Sequence, residues 1–366
     1  TELWQEKRNF VRKMSKQTMK SHHTDYVLPA EWSEQSGVQM TWPHAATDWL
    51  PYLEDIIHTC VEMARVIVRY EPLLIVIPDP APVKARLYDE IDALWHSRLH
   101  FFACPTNDTW ARDHAVLTLI ASDGRVLPLD FKFNGWGEKF PSVLDNTINS
   151  RLAAAGFFSV VPEDHTDFVL EGGSIESDGR GTIFTTSQCL LAKNRNFPCK
   201  KSFIEAQLKA YLRAKRVVWL DHGNLIGDDT DGHIDTIVRT APDDALLYIG
   251  CNDADDEQFD DFRALEQQLM TLRTADGKPY KLLKLPMPEA IFDGQERLPA
   301  TYANFLIING AVLCPTYNQP RKDAEAMQTI AQAYPGREVI GIDARTIIRQ
   351  HGSVHCLTMQ FPRGLF

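Results

Sequence analysis

The chain has 366 residues, which is long enough for one large domain or two ordinary ones. Hydrophobic residues make up 44% of it, so it has the material for a sizeable core and is not expected to be a disordered polypeptide. The formal net charge of −11 would repel a phosphate backbone, so we expect no nucleic acid partner, and it weakly favours a cationic substrate.

The cysteines and apolar runs indicate a cytoplasmic protein. The seven cysteines are odd in number and no pair has CxxC spacing, which is typical of reduced thiols rather than a disulfide framework. No apolar run approaches the ~20 residues of a membrane span, so we expect no membrane contact. Residues 1–22 are interpreted as an N-terminal extension of unassigned role, and residues 23–366 as a single catalytic domain.

Hydrophobic periodicity predicts helices and strands that alternate along the chain, which is typical of an α/β fold. The Pro-rich residues 78–83 are expected to close the first strand. In chain order, the predicted elements are a helix at 50–70, strands at 73–77, 116–120 and 126–133, a helix at 142–155, a strand at 182–185, a helix at 201–212, strands at 216–220 and 245–249, a helix at 259–272, a strand at 305–313, a helix at 323–333 and a strand at 339–342.

The first polar cluster spans residues 107–113 (Asn-Asp-Thr-Trp-Ala-Arg-Asp). An Arg-Asp pair such as Arg112 and Asp113 is common as a surface or inter-element ion pair. The aromatic Trp110 beside the Asp113 carboxylate would also serve as a wall and anchor for a flat cation. These residues alone leave both interpretations open.

The second cluster places Glu171 after the apolar residues 168–170 and before two glycines. Glycines allow close backbone approach, so Glu171 is either a site carboxylate or an exposed residue of a tight turn. The Asp-Gly-Arg-Gly sequence at 178–181 predicts a hairpin turn.

The third cluster contains a histidine and an aspartate two positions apart, His233 and Asp235. If this segment is a strand, its period of two places both side chains on one face, so a base and a carboxylate would enter one site. The alternative is a structural turn rich in aspartate at residues 228–231. A zinc site is disfavoured because further ligands at a recognisable spacing are missing.

A cysteine near the end of the sequence, Cys356, lies among glycine, serine and histidine rather than in an apolar stripe. A lone cysteine is usually a small core residue. A cysteine combined with a histidine elsewhere in the chain is, however, the pattern of a thiol nucleophile. On a strand, the adjacent His355 would point to the opposite face, so we predict His233 as the working base.

At these clusters the chain resembles the agmatine deiminase and peptidylarginine deiminase-type family, part of the guanidino-group-modifying superfamily. The resemblance implies a pentein-like fold, a five-bladed pseudo-symmetric α/β propeller of ββαβ units around a central site. The matching motifs, in order, are Leu-Pro-Ala-Glu-Trp at 28–32, Thr-Trp-Pro-His at 41–44, the cluster at 107–113, Phe-Asn-Gly-Trp-Gly at 133–137, Leu-Glu-Gly-Gly-Ser-Ile at 170–175, Asp-Gly-Arg-Gly-Thr at 178–182, the segment 228–235 and His-Cys-Leu-Thr at 355–358.

The resemblance also implies a role for each of five residues. Cys356 matches the family's nucleophile, and His233 matches its general acid and base. Glu171 matches the carboxylate that steadies the histidine and contacts the guanidinium. Asp113 and Asp235 match the pair that grips the guanidinium nitrogens.

The implied reaction is hydrolytic deimination through a covalent thiouronium intermediate, with agmatine and water giving N-carbamoylputrescine and ammonia, a step of putrescine biosynthesis. It requires no metal, nucleotide or flavin, and the family's assemblies suggest a homo-oligomer. The family usually has three glycines before its Asn-Ile-His-Cys run, whereas this chain has Gly352 and Ser353. Free or peptidyl arginine therefore stays open as the substrate. The same residues would also suit an amidinotransferase, which shares the thiouronium intermediate, or a catalytically silent binding module.

Overall fold

The structure, a computed structural model, describes residues 25–366. The extension expected at residues 1–22 lies outside that range. Across the described residues, strands and helices alternate, so the expected α/β class is confirmed. No helix in this part of the chain is both long enough and apolar enough to cross a membrane.

The strands are short and occur along the whole described chain. They are β1 (Gln35–Thr41), β2 (Leu73–Ile77), β3 (Leu99–Ala103), β4 (Leu117–Ile120), β5 (Val126–Lys132), β6 (Glu163–Val169), β7 (Ile175–Ser177), β8 (Thr182–Thr186), β9 (Arg216–Leu220), β10 (Val238–Ala241), β11 (Ala245–Gly250), β12 (Lys281–Pro286), β13 (Phe292–Asp293), β14 (Glu296–Arg297), β15 (Leu306–Ile308), β16 (Ala311–Thr316), β17 (Glu338–Asp343) and β18 (Thr358–Pro362).

The helices lie between these strands, and several are single turns. The α-helical segments are Leu53–Tyr70, Pro80–Glu90, Ala111–His114, Ile148–Ala154, Ser187–Leu190, Lys201–Tyr211, Phe259–Thr271 and Pro320–Ala333. Gly135–Glu138 is a turn of left-handed backbone, with φ from +54° to +89°. The 3-10 turns are Leu50–Tyr52, Ala93–Arg98, Asp145–Thr147, Gly172–Ser174, Ile234–Thr236 and Ile347–Gln350.

Within residues 25–366 the strands form five sheets of three or four strands and one two-stranded hairpin, β13–β14. Each of the five sheets adds parallel strands to an antiparallel pair: two in the four-stranded sheet and one in each of the others. A helix connects the parallel strands, because a parallel pair needs a long crossover. In strand order the sheets are β18-β1-β2-β3, β4-β5-β6, β7-β8-β9, β10-β11-β12 and β15-β16-β17.

The first sheet joins segments from opposite ends of the described chain. Strand β18 pairs antiparallel with β1, with Val38 opposite Gln360. Strand β1 in turn pairs parallel with β2. The residues just before β18, which include Cys356, are therefore held against the N-terminal sheet.

Most predicted elements are found with their ends shifted by a few residues. In helix Leu53–Tyr70 the predicted apolar stripe is buried, with Ile56, Cys60 and Ile67 fully covered. The hairpin turn predicted at 178–181 is confirmed, since β7 and β8 pair antiparallel across it. The helix expected at 142–155 is shorter and is preceded by a 3-10 turn.

The Pro-rich segment after β2 begins a helix, Pro80–Glu90, that the sequence did not predict. Proline is tolerated at the first helical position because its missing N–H would have no partner there. The Asp79 side chain accepts a hydrogen bond from the Ala81 N–H at 3.1 Å and caps the helix.

The single strand expected at 305–313 is instead a hairpin of β15 and β16, paired antiparallel. Asn309 and Gly310 form the turn between them. Gly310 has φ = +81°, in the left-handed region that glycine enters without strain. The turn therefore divides an apolar run that looks continuous in sequence.

Candidate active site

A turn just before β18 carries Cys356, and Asn304 holds that turn in place. The Asn304 Oδ1 atom accepts hydrogen bonds from the His355 N–H (3.0 Å), the Cys356 N–H (3.2 Å) and the Cys356 thiol (3.3 Å). The Arg112 N–H donates to the Cys356 carbonyl at 3.2 Å. The sulfur is therefore fixed by a side chain from another segment, which sequence analysis did not single out.

Gly173 lies at the point where three of the predicted site residues converge. Its N–H donates to Asp113 Oδ1 at 2.9 Å. A Cβ atom at this position would lie 2.6 Å from His233 Nδ1, 2.9 Å from Asp113 Oδ1 and 3.1 Å from Asp235 Oδ2. Only glycine leaves room for these three polar groups to surround one point, so the backbone here forms the floor of the site.

The Cys356 sulfur belongs to the same group of side chains. Its Sγ lies 3.8 Å from Asp235 Oδ2. Burial raises the pKa of the Cys356 thiol well above its usual value, and the negative charges of Asp235 and Asp113 raise it further. The thiol is therefore protonated in the free protein at neutral pH.

His233 is buried close to Asp113, with its Nδ1 3.7 Å from the Asp113 Oδ1 atom. Neither ring nitrogen has a hydrogen-bond partner among the described residues. Burial by itself would lower the pKa of His233, but the Asp113 carboxylate raises that pKa well above its usual value. The imidazole is therefore held as the cation and is able to donate a proton.

The segment that carries His233 and Asp235 is not the strand considered from the sequence. It is a turn followed by the 3-10 helix Ile234–Thr236. Asp231 and Gly232 have φ of +65° and +88°, which breaks any extended backbone. The two side chains nevertheless reach the same point, because both approach Gly173.

His355 is part of this cluster, contrary to the expectation that it would point away from Cys356. The two residues lie in a turn rather than a strand, so alternation does not apply. His355 Nδ1 lies 2.7 Å from Asp235 Oδ2, and His355 Nε2 lies 2.8 Å from Glu31 Oε1. Burial opposes the Asp235 charge, but the His355 contact lowers the pKa of Asp235 below its usual value. Asp235 Oδ1 is buried without a partner from residues 25–366 and stays available as an acceptor.

Glu171 is paired with a buried arginine that sequence analysis missed. Arg195 Nε donates to both Glu171 carboxylate oxygens, at 2.9 and 3.2 Å, and neither side chain is exposed. Arg195 also donates to Asp231 Oδ2 at 2.7 Å. One side-chain atom each of Glu171, Cys189 and His233 lies within 4.8 Å of the other two. Glu171 thus lies beside the histidine while its own charge is balanced by Arg195.

An open cavity leads to this site, and four of its lining residues are aspartates. Asp113 and Cys356 are buried, whereas Asp48 is exposed and Asp108 and Asp229 are half-buried, so the last three lie nearer the mouth. Burial raises the pKa of Asp108 to about 7, with Asp48 adding to the effect. Burial and Asp228 raise the pKa of Asp229 to about 6. The cavity therefore suits a ligand that is positively charged at both ends.

Trp110 forms an aromatic wall of the same cavity. Its ring packs against Trp49 and Trp136, with centroid distances of 5.7 and 6.5 Å. A Cβ atom on Gly352 would overlap the Trp110 ring. A side chain at position 352 is therefore excluded by the aromatic wall, which accounts for the glycine there.

Comparisons with known proteins find matches that cover almost the whole chain. The model of the Porphyromonas-type peptidyl-arginine deiminase family matches residues 27–362. An agmatine deiminase of Pseudomonas syringae pv. tomato is 31% identical, with 92% of this chain and 95% of that protein covered. A solved Porphyromonas gingivalis protein, described as a candidate arginine deiminase, is 48% identical with a TM-score of 0.87, covering 93% of this chain and 99% of that one. A substrate-bound cysteine-to-serine variant of C. jejuni agmatine deiminase is 36% identical with a TM-score of 0.85, covering 93% and 97%.

Proposed function

This chain belongs to the Porphyromonas-type peptidyl-arginine deiminase family, and from that premise we propose that it hydrolyses agmatine to N-carbamoylputrescine and ammonia. The observation that carries the proposal is the cavity that joins a buried thiol and carboxylate to a group of outer carboxylates. Agmatine has a guanidinium at one end and an ammonium at the other. The inner acids would bind the first cation and the outer acids the second.

The outer acids favour agmatine over arginine. Free arginine would bring its own carboxylate to the end of the cavity where Asp48, Asp108 and Asp229 lie, and like charges repel. A peptidyl arginine would bring neutral amides there and leave those acids without a cation. Arginine stays the second candidate, because the P. gingivalis protein that is 48% identical is described as an arginine deiminase candidate.

The guanidinium would lie over Gly173 between Asp113 and Asp235. A guanidinium stays charged at neutral pH and offers only hydrogen-bond donors. Asp235 Oδ1 is a buried acceptor to which no described residue donates, and Asp113 lines the cavity. Trp110 would cover one face of the planar cation. Carboxylates on the nitrogens also stabilise charge as the central carbon becomes tetrahedral, which lowers the barrier rather than only binding the substrate.

In the proposed reaction the Cys356 thiolate attacks the guanidinium carbon and forms a C–S bond. The His233 imidazolium protonates the leaving nitrogen as the C–N bond breaks, which releases ammonia and leaves an S-alkylthiouronium. Neutral His233 then takes a proton from a water that attacks the same carbon. The C–S bond then breaks, the remaining hydroxyl proton passes to the departing sulfur, and the ureido product leaves with the Cys356 thiol regenerated.

The thiolate would form only when substrate is bound, and its proton would pass to solvent because His233 already carries its own. The raised pKa of Cys356 keeps the free thiol protonated, and a bound cation offsets the charges of Asp113 and Asp235 that raise it. Alkylation of Cys356 by iodoacetamide should therefore be slow below about pH 9 in the free enzyme. A free-enzyme thiol that titrates near neutral pH would contradict this step.

Glu171 and Arg195 would steady His233 rather than bind substrate. Glu171 lies beside His233, and Arg195 donates to both of its carboxylate oxygens, whereas Asp235 keeps one oxygen free of any described donor. We therefore assign Glu171 the first of its two expected roles and reserve the guanidinium for Asp113 and Asp235.

The proposal also covers the domain organisation, the location in the cell and the assembly of the protein. Residues 23–366 would form one catalytic domain, and the shared strand pattern of the five sheets supports their arrangement as a five-bladed propeller. The seven cysteines of the sequence, all free thiols in the structure, fit the reducing cytoplasm. A homo-oligomer is the expected assembly.

The decisive experiment measures ammonia release from agmatine, free arginine and a blocked arginine peptide. Cys356→Ala should abolish turnover of agmatine, whereas Cys199→Ala, at a cysteine outside the site, should retain it. Adding glycine or ornithine tests transfer of the amidine group instead of hydrolysis. Full turnover by Cys356→Ala, or no ammonia from any substrate, would refute the proposal.

A further inference from the structure

Three side chains with metal-binding atoms meet beside the site although they are far apart in sequence. Atoms of Glu171, Cys189 and His233 lie within 4.8 Å of one another, and all three residues are buried. Across the described part of the chain, no group hydrogen-bonds to either His233 nitrogen. Buried polar atoms are almost always partnered in native proteins, so such an imidazole between a thiol and a carboxylate calls for an explanation.

The chemistry of these three groups is that of a zinc site. Zn²⁺ is bound by thiolate, imidazole and carboxylate at ~2.0–2.3 Å, commonly with three protein ligands and one open position. We propose that Glu171, Cys189 and His233 bind Zn²⁺ or a similar thiophilic divalent ion, and that the ion reversibly inhibits the enzyme. The ion would act as an inhibitor rather than a cofactor, because it would bind the imidazole that the reaction needs.

The backbone holds Cys189 against the loop that carries His233. Cys189 lies in the helical turn Ser187–Leu190, whose first turn is capped by the Thr186 hydroxyl, 3.2 Å from the Cys189 N–H. The same hydroxyl donates to the Gly232 carbonyl at 2.6 Å. Two of the three ligands are thereby fixed relative to each other, and small side-chain rotations would bring the atoms to bonding distance.

Arg195 limits how tightly the ion would be held. Its Nε donates to both Glu171 oxygens. A carboxylate has about four lone-pair sites, so Glu171 is able to bind the arginine and an ion together. The fixed positive charge of Arg195 repels the ion, which favours weak, exchangeable binding.

The active-site cavity offers a route for the ion and a fourth ligand. Asp113 lines that cavity, and its Oδ1 lies 3.7 Å from His233 Nδ1. Either this carboxylate or a water would complete a tetrahedral set.

The test measures metal binding in a protein that cannot turn over. Cys356→Ala removes the other thiol of the site, and Co²⁺ replaces Zn²⁺ as a coloured probe. We expect one Co²⁺ per chain with a sulfur-to-cobalt charge-transfer band. Adding Cys189→Ser should abolish that band, whereas adding Cys199→Ser should leave it unchanged. In the unmodified enzyme, Zn²⁺ should suppress ammonia release and a chelator should restore it.

Two outcomes would overturn the proposal: no Co²⁺ binding by Cys356→Ala, or a sulfur band that survives Cys189→Ser. Glu171→Gln provides a second variant if Cys189→Ser does not fold, and it should weaken Co²⁺ binding at least ~10-fold while the band remains. Unchanged Co²⁺ affinity in Glu171→Gln would also count against the site. The inhibitory effect rests on the role proposed for His233, but the Co²⁺ spectrum does not depend on deiminase activity, so the two proposals fail separately.

Discussion

Asn304 determines the position of the sulfur through a single amide oxygen. That oxygen accepts two backbone N–H groups and the thiol of Cys356 itself. An amide carries no charge, so Asn304 positions the thiol without adding to the acids that already raise its pKa. The absence of charge on the Asn304 side chain is therefore as important as the hydrogen bonds that it accepts.

Asn304→Asp keeps the size of the side chain and adds a negative charge next to the sulfur. We expect the pKa of Cys356 to rise further and kcat for agmatine to fall at least ~10-fold at neutral pH, since each pKa unit corresponds to a tenfold change. The pH at which iodoacetamide alkylation accelerates should increase. Asn252→Asp, at an exposed asparagine just after β11, is the matched control. Identical alkylation profiles for the two variants would show that the amide has no electrostatic role.

The outer acids predict how agmatine binding depends on pH. The carboxyl groups of Asp108 and Asp229 have raised pKa values of about 7 and about 6, so both become neutral as the pH falls through that range. KM for agmatine should therefore rise below about pH 7. In Asp229→Asn the part of the rise near pH 6 should disappear, and KM at higher pH should be larger. A KM that is flat from pH 8 to 5 would contradict an ammonium site at these acids.

Individual site residues were predictable only where a local motif singles them out. Asp113, Glu171, His233, Asp235 and Cys356 occur in such motifs, and the structure brings them close together. Asn304, Arg195 and Cys189 were not predicted. Their partners are distant in sequence, and an asparagine, an arginine or a buried cysteine alone carries no distinctive pattern.

At the scale of secondary structure, the loop before β18 and the aromatic wall fit together through Gly352. Trp110 precedes the helical turn Ala111–His114, and Gly352 precedes the loop of Cys356. Their contact leaves no room for a side chain at 352. The shape of the cavity thus depends on the close packing of the Gly352 backbone against the Trp110 ring.

Gly352→Ala should displace Trp110 and lower stability by about 1–3 kcal/mol, the usual effect of overpacking. KM for agmatine should rise several-fold, because the wall beside the guanidinium moves. Urea unfolding and steady-state kinetics measure the two effects. Gly250→Ala is the control, since the three atoms nearest to its added methyl belong to the flexible Lys284 side chain. If the two variants lost the same stability and had the same KM for agmatine, the Trp110 contact would have no special role.

Regular elements were predicted well where one signal dominates. The continuous apolar run of β2 and the apolar stripe of helix Leu53–Tyr70 agree with the sequence. Helix Pro80–Glu90 was missed because prolines at its start read as breakers, although the first turn tolerates them. Strand β1 was missed as well, since its pairing with β18 and β2 is set by distant residues.

At the scale of the whole molecule, the first sheet links stability to the nucleophile. Phe361 on β18 is fully buried and packs against Phe158 and Phe366, with centroid distances of 5.5 and 5.9 Å. The same strand begins two residues after Cys356. Loss of packing in this sheet should therefore also displace the sulfur.

Phe361→Ala should destabilise the protein by about 3–5 kcal/mol, as expected for a large buried aromatic. Phe292→Ala, at a side chain 57% exposed in the β13–β14 hairpin, should have little effect. Urea unfolding compares the two. Activity of Phe361→Ala should be lost at lower urea concentration than in the unmodified protein. A loss of less than about 1 kcal/mol would contradict this account of the sheet.

The pairing of β18 with β1 also affects how the protein folds during its synthesis. Ribosomes synthesise β1 early and β18 after every other described strand, so a nascent chain holds an unpaired edge until translation reaches that segment. The reactive sulfur is made in the same late interval. Termination of the chain before Cys356 would therefore remove the nucleophile and strand β18 in one event.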